Sequence, residues 1–201
     1  MFHEQARRIV LSGTIEEGMA AYAADQITLF ERLDPQEPIS IYLDTVGGSI
    51  YSALLIHDII KISACPIEII GCGKVFSAGI LILAAGDKGM RYVTQNTRCM
   101  IHQVSSGFSG SLSEINTTMN EIKYLQNKYA DLLVKYTKMS KKQILEEMRD
   151  DTFFDAEKAI DLGICDYIVA PRKTILKKEE KVKKVSKKTP KNSVKSKKGK
   201  K

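Results

Sequence analysis

Apolar and polar positions along this chain alternate between two rhythms. Arg8-Ile9-Val10-Leu11-Ser12-Gly13 is a short apolar run closed by a glycine and reads as a buried strand. Thr14-Ile15-Glu16-Glu17 then has the form of a capping box. Met19, Tyr22, Ala23, Ile27 and Phe30 follow at helical spacing. After the loop Asp34-Pro35-Gln36-Glu37-Pro38, the β-formers Ile39-Ser40-Ile41-Tyr42-Leu43 predict a second strand, leading into Asp44-Thr45-Val46-Gly47-Gly48. A helix is expected from about Ser49 to Ile62, and a third strand from Pro66 to Ile70. Within that strand Glu68 is the lone charge and needs solvent or a partner.

The glycine-punctuated stretch Gly71-Cys72-Gly73-Lys74-Val75-Phe76 reads as a turn. The apolar helix-forming run Ser77-Ala78-Gly79-Ile80-Leu81-Ile82-Leu83 follows. Met90–Val93 and Cys99–Gln103 predict two short strands. Ser111-Leu112-Ser113-Glu114 is a capping box, and Leu112, Ile115, Met119, Ile122, Leu125, Tyr129, Leu132 and Tyr136 stripe one long helix. That helix is too long for so small a body and is expected to project or to pack on another subunit. Ser140 caps a shorter helix ending near Met148, Asp155 starts another through Leu162, Gly163 stops it, and Cys165–Val169 is the last strand. Strands alternating with helices of ten or more residues predict an α/β fold with right-handed crossovers and a mostly parallel sheet. Ligands in such sheets bind beyond the carboxyl ends of strands, where Gly47-Gly48 and Ser77 fall.

Composition changes this picture in one place. The 201 residues carry a net charge of +7. From Arg172 to Lys201 there are 15 Lys and Arg against 2 Glu, a net +13, which leaves 16 basic against 22 acidic residues, a net −6, for residues 1–171. Residues 1–171 are therefore expected to form one domain, and 172–201 a disordered Lys-rich tail suited to polyanions or to a solubilising role. No apolar run reaches membrane-spanning length, and Met1-Phe2-His3-Glu4-Gln5 lacks a signal peptide's apolar core. Cys65, Cys72, Cys99 and Cys165 lack metal-ligand spacing and read as reduced thiols of a cytoplasmic protein.

Candidate chemistry centres on Ser77. A serine at a helix start meets unpaired N–H groups and the positive end of the helix dipole, which suits a nucleophile but equally suits a simple N-cap. Val75 breaks the Gly-x-Ser-x-Gly elbow signature. A hydrolase also needs a base and a group to orient it. Of the three histidines, His3 lies at the terminus, His57 sits in an amphipathic helix beside Asp58, and His102 ends a strand before a polar turn. By position His57 reads as structural or exposed and His102 is the candidate base, though a place at a strand end does not by itself establish the role, and the acid could be any of many carboxylates.

Gly47-Gly48-Ser49, Ser77-Ala78-Gly79, Met100-Ile101-His102-Gln103, and Phe154 leading to Ala159-Ile160-Asp161-Leu162-Gly163 together resemble the ClpP peptidases, the proteolytic subunits of ATP-dependent Clp proteases. The similarity covers about residues 7 to 170. The separations match too: 30 positions from Gly47 to Ser77, 25 from Ser77 to His102, and 49 from His102 to Asp151. The resemblance implies Ser77 as nucleophile, His102 as base and Asp151 as orienting acid. It implies an oxyanion hole from the N–H groups of Gly48 and Ala78. Substrate would pair as a strand with Gly47, Ser49 and Ser106-Gly107-Phe108-Ser109-Gly110.

The same resemblance implies a ClpP/crotonase fold of repeated ββα units with a projecting handle helix. It implies heptameric rings stacked as a tetradecamer, an AAA+ ATPase partner, polypeptide substrates, and no metal or organic cofactor. ATPase docking would fall on Tyr42, Ile62 and Tyr92, although Ser40 and Thr94 stand where larger apolar residues are commoner. Only about seven residues precede the first strand, where the family carries a pore-lining segment. The family's acid–arginine pair at the ring contact is reversed here, as Arg149-Asp150. Two rival readings are a catalytically silent subunit of a mixed ring and a crotonase-type acyl-CoA enzyme.

The tail carries +13 and no core-forming pattern. A chain ending at Ala170 should keep the circular-dichroism melt of the full chain and lose salt-sensitive retention on heparin. A lower melting temperature after truncation would assign the tail a structural role.

Overall fold

A computed structural model describes residues 7–107 and 109–169 of the chain. His3, Phe108 and the expected tail from 172 to 201 lie outside the described residues. The first three strands alternate with helices: β1 (Arg8–Ile15), α1 (Glu17–Leu33), β2 (Ile39–Gly48), α2 (Ile50–Ile62), β3 (Ile67–Phe76) and α3 (Ala78–Ala85). Two short strands follow, β4 (Arg91–Val93) and β5 (Arg98–Ile101), then the long α4 (Leu112–Tyr136). The chain ends with α5 (Lys141–Glu147), β6 (Thr152–Phe154), α6 (Ala156–Asp161) and β7 (Tyr167–Ile168). The sheet order is β1-β2-β3-β4-β7, all parallel. β5 also pairs in parallel with β3, and β6 pairs antiparallel with β5. This is the expected α/β class with a mostly parallel sheet.

The alternation within strands decides which face is covered. Ile9 and Leu11, Ile39, Ile41 and Leu43, and Ile67 and Ile69 are fully buried and form one core with α1, α2 and the wholly buried α3. Their in-between neighbours look the other way. Val10, Tyr42, Ile70 and Tyr92 stand in one register row across β1 to β4, with Tyr167 next on β7. Glu68 in β3 finds the partner its position requires in the Ser40 hydroxyl on β2.

Several expected boundaries move, each for a pairing reason. Thr14 does not open a capping box. It pairs with Gly47, and Ile15 with Gly48, so β1 runs on to Ile15. Glu16 takes the N-cap position in extended backbone with no side-chain cap bond. The glycines at 71 and 73 make no turn either. β3 continues through them to Phe76, and Gly73 adopts φ +62 at an irregularity where Asp44 accepts from the Lys74 N–H. At that point β3 changes partner. Ile69–Gly71 pairs with β4, and Lys74–Phe76 pairs with β5. The strand β6 was not foreseen, because three residues give too short a pattern to register. The last strand is only two residues long.

The capping boxes at Ser111 and Ser140 and the Asp155 cap form as expected. The first three turns of α4 contain no buried residue, and burial begins at Leu125, so the helix does project.

The C-terminal part is locked by one ion pair. Arg91 donates from Nε and one terminal nitrogen to the Asp166 carboxylate, at 2.9 and 2.6 Å, and from the other to the Tyr136 carbonyl at 2.8 Å. The side chains are 6% and 15% exposed. Burial pushes the Asp166 carboxyl up, but hydrogen bonds from Arg91 and the Gly89 N–H, with the guanidinium charge, more than offset it and hold it below the usual range. A carboxyl depressed in the folded state stabilises the fold at neutral pH, and that contribution is lost as pH falls through its folded value. Asp166→Asn should therefore cost about 3 kcal/mol in urea unfolding at neutral pH. The difference from wild type should shrink on acidification, and a pH-independent difference would contradict the assignment.

Candidate active site

The ladder around β3, β5 and β6 brings three distant residues to one point. Phe76 pairs with Met100, and Met100 with Phe153; Ile101 pairs with Thr152. One step beyond these pairs, Ser77 leaves β3, His102 leaves β5 and Asp151 enters β6. The Ser77 N–H continues the ladder by donating to the Met100 carbonyl at 2.8 Å. His102 Nε2 lies 2.8 Å from Ser77 Oγ, and His102 Nδ1 lies 3.3 Å from Asp151 Oδ1. His102 is 29% exposed and Asp151 63%, so the carboxylate is the wettest of the three. Gln103 ties the preceding loop down by donating to the Arg149 carbonyl.

Ser77 occupies the N-cap position of α3, but its side chain makes no cap bond. The cap reading is therefore set aside in favour of the hydroxyl's partner, His102. The Ser77 backbone has φ +54 and ψ −123, the only positive φ outside glycine among the described residues. Holding a side chain there costs roughly 1–3 kcal/mol and persists only where the surroundings enforce it.

Close packing supplies that enforcement. A β-carbon on Gly47 would come within 2.7 Å of Ser77 Cβ, and one on Gly79 within 2.5 Å of Thr45 Cγ2. Buried Thr45 fixes the glycine bend, donating to the Gly13 carbonyl at 2.6 Å and accepting from the Gly47 N–H at 3.0 Å. Gly48 has φ +148, and a β-carbon there would strike the Ile15 carbonyl.

A cavity of about 570 Å³ opens beside these groups, lined by Gly48, Ser77, Ala78 and His102. Ser49, Ser105 and Ser106 border it as well. Gly107, Ser109 and Gly110 continue that exposed, irregular segment. Ile122, Leu125 and Tyr129 supply an apolar wall from α4, and Tyr51 and Glu121 hydrogen-bond to each other at its rim, at 2.8 Å. Thr45 and the α4 wall escaped sequence reasoning. The wall residues belong to the same stripe that packs the core, and spacing alone does not separate a stripe facing core from one facing a cavity.

His57 takes no part. It is buried, between Asp58 and the Tyr136 hydroxyl. Arg149 makes a 3.8 Å pair with Glu146 on its own chain, and Asp150 has no ion pair among the described residues. Tyr42 and Tyr92 are part-exposed and flank Ile70, whereas Ile62 is 75% exposed at the end of α2.

A hydroxyl, an imidazole and a carboxylate in this order can draw a proton off the oxygen and leave it nucleophilic. The Ala78 N–H opens α3, where a helix has no internal acceptor for it, and the Gly48 N–H belongs to the facing glycine bend. Two N–H groups bordering one cavity suit a developing oxyanion. The cysteines do not compete as nucleophiles here. All four are free, none borders the cavity, and burial pushes the thiols of Cys99 and Cys165 up to about 12.

A family model described as Clp protease matches residues 3–172. The ATP-dependent Clp protease proteolytic subunit of Deinococcus radiodurans is 32% identical over 163 residues, which cover 81% of this chain and 80% of that protein.

Gly13 and Gly47 both have positive φ, at +105 and +91, but only Gly47 faces a clash. Gly13→Ala should cost about 1–2 kcal/mol for backbone conformation alone. Gly47→Ala should cost clearly more in parallel chemical unfolding, because the β-carbon of Ser77 must also move. Equal costs would mean that the close approach at Gly47 does not constrain Ser77.

Proposed function

We propose that this chain, which belongs to the Clp protease family, is a serine endopeptidase that cleaves unfolded polypeptides inside an oligomeric chamber. The observation that carries the reading is the 2.8 Å contact between His102 Nε2 and Ser77 Oγ at the edge of a cavity with an apolar wall. Ser77 acts as nucleophile, His102 as base, and Asp151 orients the imidazole. The Ser77 proton passes to Nε2 as Oγ bonds to the scissile carbonyl carbon. The resulting oxyanion is held by the N–H groups of Gly48 and Ala78, with the positive end of α3 behind them. Collapse breaks the peptide bond. The leaving amine takes the proton from His102, and an acyl ester remains on Ser77. Water then repeats the sequence in reverse and frees the acid.

An extended substrate would lie along Gly47, Ser49 and the 106–110 segment, with an apolar side chain against Ile122 and Leu125. Such binding uses main-chain pairing, which fits a peptidase acting on many sequences. In assembly, we place heptameric rings stacked as a tetradecamer, with α4 and the Arg149–Asp150 pair at the ring contact. A Clp-type AAA+ ATPase would dock on Tyr42, Tyr92 and Ile62. Among the described residues no helix is long and apolar enough to cross a membrane. The free cysteines suit the reducing cytoplasm in which we place the protein. We place the peptidase domain at residues 1–171, followed by the Lys-rich tail.

Ser77→Ala should abolish hydrolysis of a short fluorogenic peptide and labelling by a fluorophosphonate. Its unfolding free energy should stay within about 1 kcal/mol of wild type, since the hydroxyl caps nothing. Wild-type protein that neither labels nor cleaves would favour a silent subunit instead.

A further inference from the structure

We propose that Tyr129 is a positioning residue for this reaction, because its hydrogen bond to the Ser77 carbonyl fixes the peptide plane whose other end is the Ala78 N–H. The inference rests on the peptidase reading above and extends it to a residue on α4.

A peptide unit is planar, so the Ser77 C=O and the Ala78 N–H are two ends of one rigid plate pointing in opposite directions. Whatever orients the carbonyl orients the N–H. Here the plate is set by a ψ of −123° at a residue with φ +54, far from a relaxed well. Rotation of the plate would relieve strain and turn the N–H away from the cavity. Of the three hydrogen bonds at Ser77, two oppose this. The Ser77 N–H to Met100 bond fixes the preceding peptide only. The Ile80 N–H bonds the Ser77 carbonyl at 3.0 Å, but it belongs to α3 and moves with that helix. The Tyr129 hydroxyl donates to the same carbonyl at 2.9 Å and comes from a different element.

Tyr129 is built for this contact. It is 3% exposed and lies in the core cluster, so its ring is fixed by packing. Burial pushes its phenol up, which keeps it a donor across the working pH range. A carbonyl that accepts two donors is more polarised, and hydrogen bonding at one end of an amide strengthens donation at the other. Tyr129 also lines the cavity, so the clamp and the apolar wall are the same side chain.

The test compares full-length wild type and Tyr129→Phe, which removes only the donor. Three readouts are needed: kcat and KM on a fluorogenic peptide, the rate of fluorophosphonate labelling, and affinity for a peptide boronic acid, which forms a tetrahedral adduct on an active serine. Complete removal of one oxyanion donor typically costs 100- to 1,000-fold in kcat, so loss of its alignment should cost about tenfold. KM should stay within about twofold, while labelling and boronate affinity fall in step with kcat.

Sedimentation and melting should show an unchanged particle. Tyr129→Met, an aliphatic replacement without the hydroxyl, should give the same kinetic pattern. Tyr129→Phe with unchanged kcat and boronate affinity would overturn the inference while leaving the peptidase reading intact. So would loss of the folded particle in both variants, which would make Tyr129 structural. Wild type that fails to label would instead remove the peptidase reading itself.

Discussion

The exchange of neighbours along β3 is the constraint on which the rest of this structure depends. Its first half is held by β4 and its second half by β5, and only the second half carries the ladder that ends at Ser77. Because strand register advances in whole residues, fixing Phe76 against Met100 and Ile101 against Thr152 leaves no freedom in where Ser77, His102 and Asp151 emerge. A slip of one residue in either ladder would turn each side chain to the opposite face. Gly73 takes φ +62 where β3 passes from β4 to β5, and a β-carbon on Gly71 would crowd Val75 and Val93, so both glycines support the site although neither touches it.

Local stability and local strain are arranged around that point in complementary ways. The inward face of the core strands and all of α3 are buried, Gly47 of β2 lies directly against Ser77, and Gly79 of α3 lies against Thr45 of β2. A conformation that would relax in an isolated peptide is thereby maintained. The carboxylate end of the array has the opposite character. Asp151 stands at the start of a three-residue strand and is largely exposed. The hydroxyl is thus positioned by the core and the acid by the sheet's fringe.

The fold class and most elements were legible in the sequence because they depend on patterns of period two and 3.6, and on caps such as Ser111 and Asp155. What misled was local chemistry overruled by pairing. Thr14 has the right neighbours for a capping box, but the β1–β2 ladder claims it. Gly71 and Gly73 look like a turn because glycine tolerates positive φ, yet the parallel ladders on either side of Gly73 carry β3 on to Phe76, and only Gly73 takes a positive φ. Ser77 and His102 stood out as end-of-strand residues. Asp151 did not, since β6 is too short to announce itself and only the family spacing singled it out. Thr45 and Tyr129 were invisible as site residues because a side chain aimed at a backbone carbonyl leaves no periodic trace.

The stripe on α4 has a consequence for how this protein can change. Ile122 and Leu125 shape the cavity, and Tyr124, between them in sequence, lies on the helix's solvent side at 60% exposure, as do its exposed neighbours Asn120 and Lys123. A substitution that widens or narrows the cavity therefore alters the pitch and footing of the same rod that presents those outer residues. Selectivity and any surface built on α4 share one inheritance. Drift in one constrains drift in the other, and an engineer who wants a new cavity will have to redesign both faces of the helix together.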